Sequence, residues 1–405
     1  MTRLVVVALL LAAPVAWSQG SQREAIGKTL FVPDPLPPLD ARSHSEFEPE
    51  PGVVAERISY ATQFGMRVPA ILYRPKKVSG RIPAFIVVNG HGGDKYSWYA
   101  FYAGVLYARG GAAVLTYDPA GEGERNAGRK SGTRRHDPYV PPPEMARRLA
   151  GLMITDIMQA VAYLSQRADV DSKRIAAGGY SMGSFILSLA GAIDTRLRAC
   201  VLVGGGNLDG PGGYWDSSSK QMCQSIPYRS LMFLGDRPAV IYDLHASRGP
   251  TLVFNGSADS VVGIPGSGQP FFENLRRRTI ELHGGSQGVF EFGFEPGAGH
   301  RPYFVTKPVA EWLEKQIDFP NWTPEGIAAM PVTRIGTWAN ANHVAMDLLY
   351  ANEEREGGTS ALGTGVPAIA RDTLNALPVE QWQREKRRFV FETWLSEAKS
   401  RVRPE

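Results

Sequence analysis

A serine flanked by glycines, Gly179-Tyr180-Ser181-Met182-Gly183, constrains this chain more than any other stretch, because an apolar strand runs into it and a helix runs out. The strand is read at Ile175-Ala176-Ala177, within Lys173 to Gly178, and the helix at Phe185-Ile186-Leu187-Ser188-Leu189-Ala190. A chain that turns from strand to helix in so few residues needs small residues at the bend, which the glycines supply. The serine hydroxyl then projects from a strained turn, and the amides that open the helix face any negative charge developing beside it. Such a pentapeptide also occurs by chance in loops, so its meaning depends on partners elsewhere.

Two partners follow it in the chain. Thr251-Leu252-Val253-Phe254 reads as a compact strand and leads through Asn255-Gly256-Ser257-Ala258 to Asp259, at the strand's carboxyl edge. Val289 to Phe294 alternates like a strand and leads through Pro296-Gly297-Ala298-Gly299 to His300, ahead of a helix expected near Thr306. The order Ser, Asp, His is that of α/β-hydrolases and differs from the chymotrypsin and subtilisin orders. An unassisted serine hydroxyl is a weak nucleophile. His300 would take its proton, and Asp259 would fix the imidazole tautomer, with Asp209 as the substitute acid. The oxyanion needs two amides. One is expected from Met182, and the other from Asn89-Gly90-His91-Gly92-Gly93 after the strand Ile82 to Val88, at Gly93 or, failing that, Gly92. His91 precedes the nucleophile and is read as shaping that loop.

The remaining histidines carry less. His283 is expected in a surface loop, His343 exposed, and His136, beside Arg134 and Arg135, on a solvated face. With neither H-E-x-x-H nor a C-x-x-C pair, no metal and no cofactor are expected.

Taken together, Asn89-Gly90-His91-Gly92-Gly93, Tyr117-Asp118-Pro119-Ala120-Gly121-Glu122-Gly123, the serine pentapeptide, Asp259 and His300 resemble the acetyl xylan esterase and dienelactone hydrolase branch of α/β-hydrolases. That branch is similar in its D-x-x-G-x-G loop after the fourth strand and in an oxyanion donor just after an H-G pair. The resemblance covers residues 57–318. It implies an α/β fold with a mostly parallel, doubly wound sheet, helices on both faces, an insertion after the sixth strand and a C-terminal extension. Gly93 stands where many relatives carry an aromatic residue, so the resemblance does not extend to the shape of the acyl pocket. It fixes the machinery better than the substrate.

Composition agrees. A chain of 405 residues, 43% hydrophobic and 21% charged, can bury one large core. Its net charge of +4 gives no nucleic-acid footprint. Arg3 ahead of the apolar run Leu4 to Ala13, with Ala16-Trp17-Ser18 after it, reads as a signal peptide over 1–18, cleaved before Gln19. That run is short for a membrane span, so a secreted or periplasmic protein without stable membrane insertion is expected. Export leaves two readings of Cys200 and Cys223: a disulfide, or two separate buried thiols.

The expected organisation is a Pro-rich lead over 19–56, a catalytic domain over 57–318 and an extension over 319–405 packed on it. The domain is entered by a hairpin of Ile58 to Thr62 with Val68 to Tyr73. Residues 207–248, rich in aromatics, are either a cap beside the site or extra core packing. A serine carboxylic ester hydrolase acting through an acyl-enzyme on short acyl esters, such as acetylated carbohydrate, leads the functional readings. A serine peptidase of the prolyl oligopeptidase type and a non-catalytic hydrolase-fold binding protein are the alternatives. The first usually carries a large preceding propeller, and the second usually lacks a triad member. Oligomeric state is not legible.

Overall fold

The computed structural model describes residues 18–217, 225–344, 346 and 358–402. Nine strands form one sheet in the order β1-β2-β3-β5-β4-β6-β7-β8-β9. Those strands are β1 (Arg42–Glu50), β2 (Val53–Ala61), β3 (Arg67–Pro75), β4 (Ile82–Val88), β5 (Ala113–Tyr117), β6 (Val170–Tyr180), β7 (Ala199–Val203), β8 (Thr251–Gly256) and β9 (Phe290–Glu295). The pairings from β5 through β4 to β9 are all parallel, whereas β1, β2 and β3 join antiparallel. The expected hairpin is β2 with β3, turning at Gln63–Gly65.

Alternation along each strand splits the interior into two layers. Ile82, Ala84, Ile86 and Val88 of β4 face one core, and Phe85 and Val87 the other. Helices α1 (Gln19–Thr29), α3 (Pro143–Ser165) and α4 (Met182–Ile193) cover the first face; α2 (Trp98–Arg109) and the helix Lys307–Ile317 cover the second. Parallel strands whose crossovers lie on both faces open a crevice at their carboxyl ends. The segments after β4, β5, β6, β8 and β9 all carry residues singled out above.

One feature departs from the sequence reading. β1 lies within the segment expected to be a Pro-rich lead; its residues Arg-Ser-His-Ser-Glu-Phe-Glu-Pro-Glu give no apolar alternation, because it is a sheet edge with charged side chains toward water. The strand expected as sixth is therefore β7. Of the two readings of the insertion after it, the described residues fit extra core packing: Trp215, Tyr228 and Tyr242 are buried, and the first two close on Phe185, while Met232 and Phe233 are exposed.

Residues beyond 318 complete both layers. Phe319, Ile327, Ile335, Trp338 and Leu374 enter the second core, Phe391, Trp394 and Leu395 the first. Cys200 is buried in β7, which pushes its thiol up to about 12; the question of its pairing rests on Cys223, outside the described residues, as does the leader over 1–17. Among the described residues no helix is long and apolar enough to cross a membrane.

Candidate active site

β6 ends at Tyr180 and α4 begins at Met182, so Ser181 alone makes the turn, at φ 55° and ψ −119°. A positive φ on a residue with a Cβ costs on the order of 1–3 kcal/mol and persists only where the surroundings impose it. Here neighbours press from two sides. A Cβ on Gly90 would stand 3.3 Å from the Ser181 Cβ, and Ser181 N–H donates to the Val203 carbonyl of β7 at 2.9 Å. Met182 opens α4, so its amide is one of the donors that a helix start leaves without an internal acceptor.

Asp259 and His300 meet across the ends of β8 and β9. His300 Nδ1 donates to Asp259 Oδ2 at 2.7 Å, and Asp259 Oδ1 accepts the Val261 amide at 3.0 Å. Both are buried. The imidazole lies against Tyr180, with ring centroids 5.0 Å apart, and the Tyr180 hydroxyl donates to the His300 carbonyl at 3.2 Å. The residue before the nucleophile therefore fixes the histidine's position. Gly204, at φ 60°, makes room for it, since a Cβ there would fall 2.8 Å from His300 Cε1. Asp209 is engaged elsewhere: its carboxylate accepts the Trp215 amide at 3.2 Å.

The loop after β4 requires a correction at Gly93. Gly93 N–H donates to the Gly90 carbonyl at 3.0 Å, closing a tight turn, so it has no spare donor for an oxyanion. Gly92 lies against the 132–134 segment: its carbonyl accepts Gly132 N–H at 3.0 Å, and a Cβ there would meet Gly132 and Arg134. The loop passes the nucleophile at Gly90, whose amide donates to the Tyr99 hydroxyl at 3.3 Å. His136 is also corrected. It is fully buried, because the polar run containing it folds beneath this loop. His283 is half-buried and paired with Asp243 at 2.7 Å, and His343 is exposed.

Sequence reasoning missed the support beneath the D-x-x-G-x-G loop. Lys95, Asp118 and Glu124 are all buried, with Lys95 Nζ paired to Asp118 and, at 2.9 Å, to Glu124. Burial alone would lower the Lys95 ammonium, but the two carboxylates more than reverse this and hold it above the ordinary lysine range. Glu124 also accepts the amides of Ala376 (2.7 Å) and Leu377 (3.2 Å), and its carbonyl accepts Trp382 Nε1–H at 2.9 Å. The C-terminal extension is thereby fastened to the loop. Glu122 is buried as well, which pushes its carboxyl up to about 8 even though the Thr133 and Arg134 amides donate to it.

A doubly wound sheet with a serine turn after β6 and an Asp–His pair after β8 and β9 defines an α/β-hydrolase. Two family models match parts of the chain: one described as acetyl xylan esterase (AXE1) matches residues 43–203, and one described as the prolyl oligopeptidase family matches residues 144–323. Together they bear out the resemblance to the acetyl xylan esterase branch of α/β-hydrolases. Hydrolase ORFZ of Pyricularia oryzae is 31% identical over 156 residues, which cover 38% of this chain and 32% of that protein. Across the curated relatives it matches, the chain spans from 32% to 66% of their length. Among solved structures, a glucuronoyl esterase from Solibacter usitatus superposes with a TM-score of 0.53 at 14% identity, over 74% of this chain and 92% of that one. Methylesterase BT1017 superposes at 0.51 with 21% identity, over 77% and 67%. At these identities the likeness is one of fold.

Proposed function

We propose that this protein is a serine carboxylic ester hydrolase working through an acyl-enzyme. The observation that carries this reading is the buried Asp259–His300 pair packed against the residue that precedes a strained Ser181. His300 Nε2 removes the Ser181 proton as Oγ attacks the ester carbonyl, and Asp259 holds the other ring nitrogen protonated and stabilises the imidazolium. The tetrahedral oxyanion is met by the Met182 amide and by the backbone amide of His91 or Gly92, just after Gly90, where the loop runs closest to the nucleophile. His300 then returns its proton to the departing alcohol, leaving the acyl group on Ser181. Water, deprotonated by the same imidazole, releases the acid.

Short acyl esters, including acetylated carbohydrate, are the proposed substrates, and export through a cleaved leader is the proposed localisation. The match to a peptidase family model supports a second reading in which the same residues cleave an amide. Purified protein should be assayed against matched acetyl, butyryl, octanoyl and uronate methyl esters and a prolyl-peptide amide. Ester hydrolysis should dominate in kcat/KM, and Ser181→Ala should lower kcat by about 10⁴-fold or more. A clear preference for the amide would replace the esterase reading, and near-normal turnover in Ser181→Ala would remove the nucleophile.

A further inference from the structure

Beside the loop after β4, three side chains converge that the proposed chemistry does not use. His91 Nε2 stands 2.7 Å from Asp137 Oδ1, His136 Nε2 stands 3.3 Å from the same oxygen, and their ligand atoms lie within 4.8 Å of one another. The two imidazoles lie obliquely together, centroids 5.0 Å apart.

Counting protons shows a shortage of donors. His136 Nδ1 lies 3.3 Å from the Ala120 carbonyl, which can only accept, so the ring proton belongs on that nitrogen. Nε2 of this fully buried ring is then a lone pair aimed toward a carboxylate oxygen, and it has no hydrogen-bond partner among the described residues. His91 Nε2 is in a similar conflict. Asp137 Oδ1 asks it to donate, while Arg134 Nε–H, 3.3 Å away, asks it to accept. One nitrogen cannot do both. Lone pairs left facing one another in a partly buried space are costly, and a cation among His91 Nε2, His136 Nε2 and Asp137 Oδ1 would satisfy them together.

We propose that His91 Nε2, His136 Nε2 and the Asp137 carboxylate form a divalent metal site, with zinc the ion of best fit. Two imidazole nitrogens and one carboxylate are a donor set that zinc favours, and three protein ligands leave a fourth position for water or a substrate oxygen. The surroundings suit such a role. The Ala120 carbonyl fixes the His136 tautomer, as the outer partner of a ligating imidazole does, and Arg134 Nη2 binds Asp137 Oδ2 at 2.9 Å, leaving Oδ1 for the ion. Because His91 adjoins Gly90, the ion ties the 134–137 segment to the loop that passes Ser181. The two histidines are far apart in sequence and show no ligand spacing, which is why the sequence gives no sign of the site.

The test uses the untagged, full-length protein, stripped with a chelator and dialysed. It should take up a single equivalent of Zn²⁺ at micromolar concentration, measured by calorimetry and elemental analysis, and its Tm should rise as zinc is added. His91→Gln and His136→Gln should each weaken binding by at least about tenfold. Ser181→Ala should bind zinc like the parent, which separates this site from the proposed hydrolysis. Should either ligand variant fail to fold, Co²⁺ titration of the parent should give the intense visible bands of a four-coordinate nitrogen and oxygen site, and anomalous diffraction should put the ion between His91 and His136. Absence of stoichiometric uptake, undiminished binding in both variants, or an ion located elsewhere would overturn the proposal.

Discussion

Ser181 can hold its φ of 55° only because its neighbours leave it no alternative, and the same crowding sets the histidine. Tyr180 lies against the His300 ring, and Gly204, beside both rings, has no side chain to push them apart. Gly204→Ala combines a strained φ of 60° with a Cβ that would lie 2.8 Å from His300 Cε1. We expect a folded protein whose Tm is lowered and whose kcat falls by at least about tenfold, since small misplacements of a catalytic base are expensive. Activity equal to the parent's would show that His300 does not need this position. Asp259→Asn should cost about 10⁴-fold in kcat with little loss of stability, because the amide favours the wrong imidazole tautomer. Circular dichroism alongside the kinetics separates that outcome from unfolding.

Between elements, the strongest coupling is that of the D-x-x-G-x-G loop to the C-terminal extension. Glu124 is completely buried, shares Lys95 with Asp118 and accepts two backbone amides of the extension. Tyr96 adds a hydrogen bond to Asn375 at 2.7 Å, and the Arg371 guanidinium sits 3.8 Å above the Tyr96 ring. Glu124→Ala would leave Lys95 paired to Asp118 alone and strand the two buried amide donors of Ala376 and Leu377, a loss of about 2–6 kcal/mol at roughly 1–3 kcal/mol for each unsatisfied donor. Thermal denaturation should register that loss. Trypsin should also cut between Arg371 and Arg388 in the variant under conditions that leave the parent whole; equal resistance would mean that the apolar contacts of Trp382 alone hold the extension down.

At the scale of the whole molecule, two buried groups set opposite slopes on stability against pH. His245, enclosed between Thr251 Oγ1 (2.8 Å) and the Ser188 carbonyl (2.7 Å), is pushed down to about 3 by burial. Below its unfolded value of about 6.5 the unfolded chain takes up a proton that the native state refuses, so this contribution is full above that pH and is lost as pH falls toward about 3. Glu122, pushed up to about 8, acts the other way: the native state keeps a proton that the unfolded chain releases above about 4.5, so stability falls as pH rises from there to about 8. Each slope is at most one proton, or about 1.4 kcal/mol per pH unit. Chemical denaturation across pH should show His245→Gln with a flatter acid limb and Glu122→Gln with a flatter alkaline limb. Unchanged slopes would mean that these groups titrate alike in both states.

The sequence by itself determined whatever depends on neighbours along the chain. The serine turn, the apolar strands on either side of it, the loop endings that carry Asp259 and His300, and the β2–β3 hairpin are all written in short-range pattern, because alternation and glycine placement act over a few residues. Only the tertiary structure decided matters that depend on distant segments meeting. β1 reads as a polar lead because an edge strand needs no apolar face. Gly93 looks like a free donor until the loop closes and Gly90 takes its amide. His136 looks solvated beside two arginines until its segment folds under that loop. Lys95, Asp118 and Glu124 look like ordinary surface charges until the extension, some 250 residues downstream of Glu124, returns to bury them. In each case the deciding partner is separated in sequence by a distance over which local pattern carries no information, and packing supplies it.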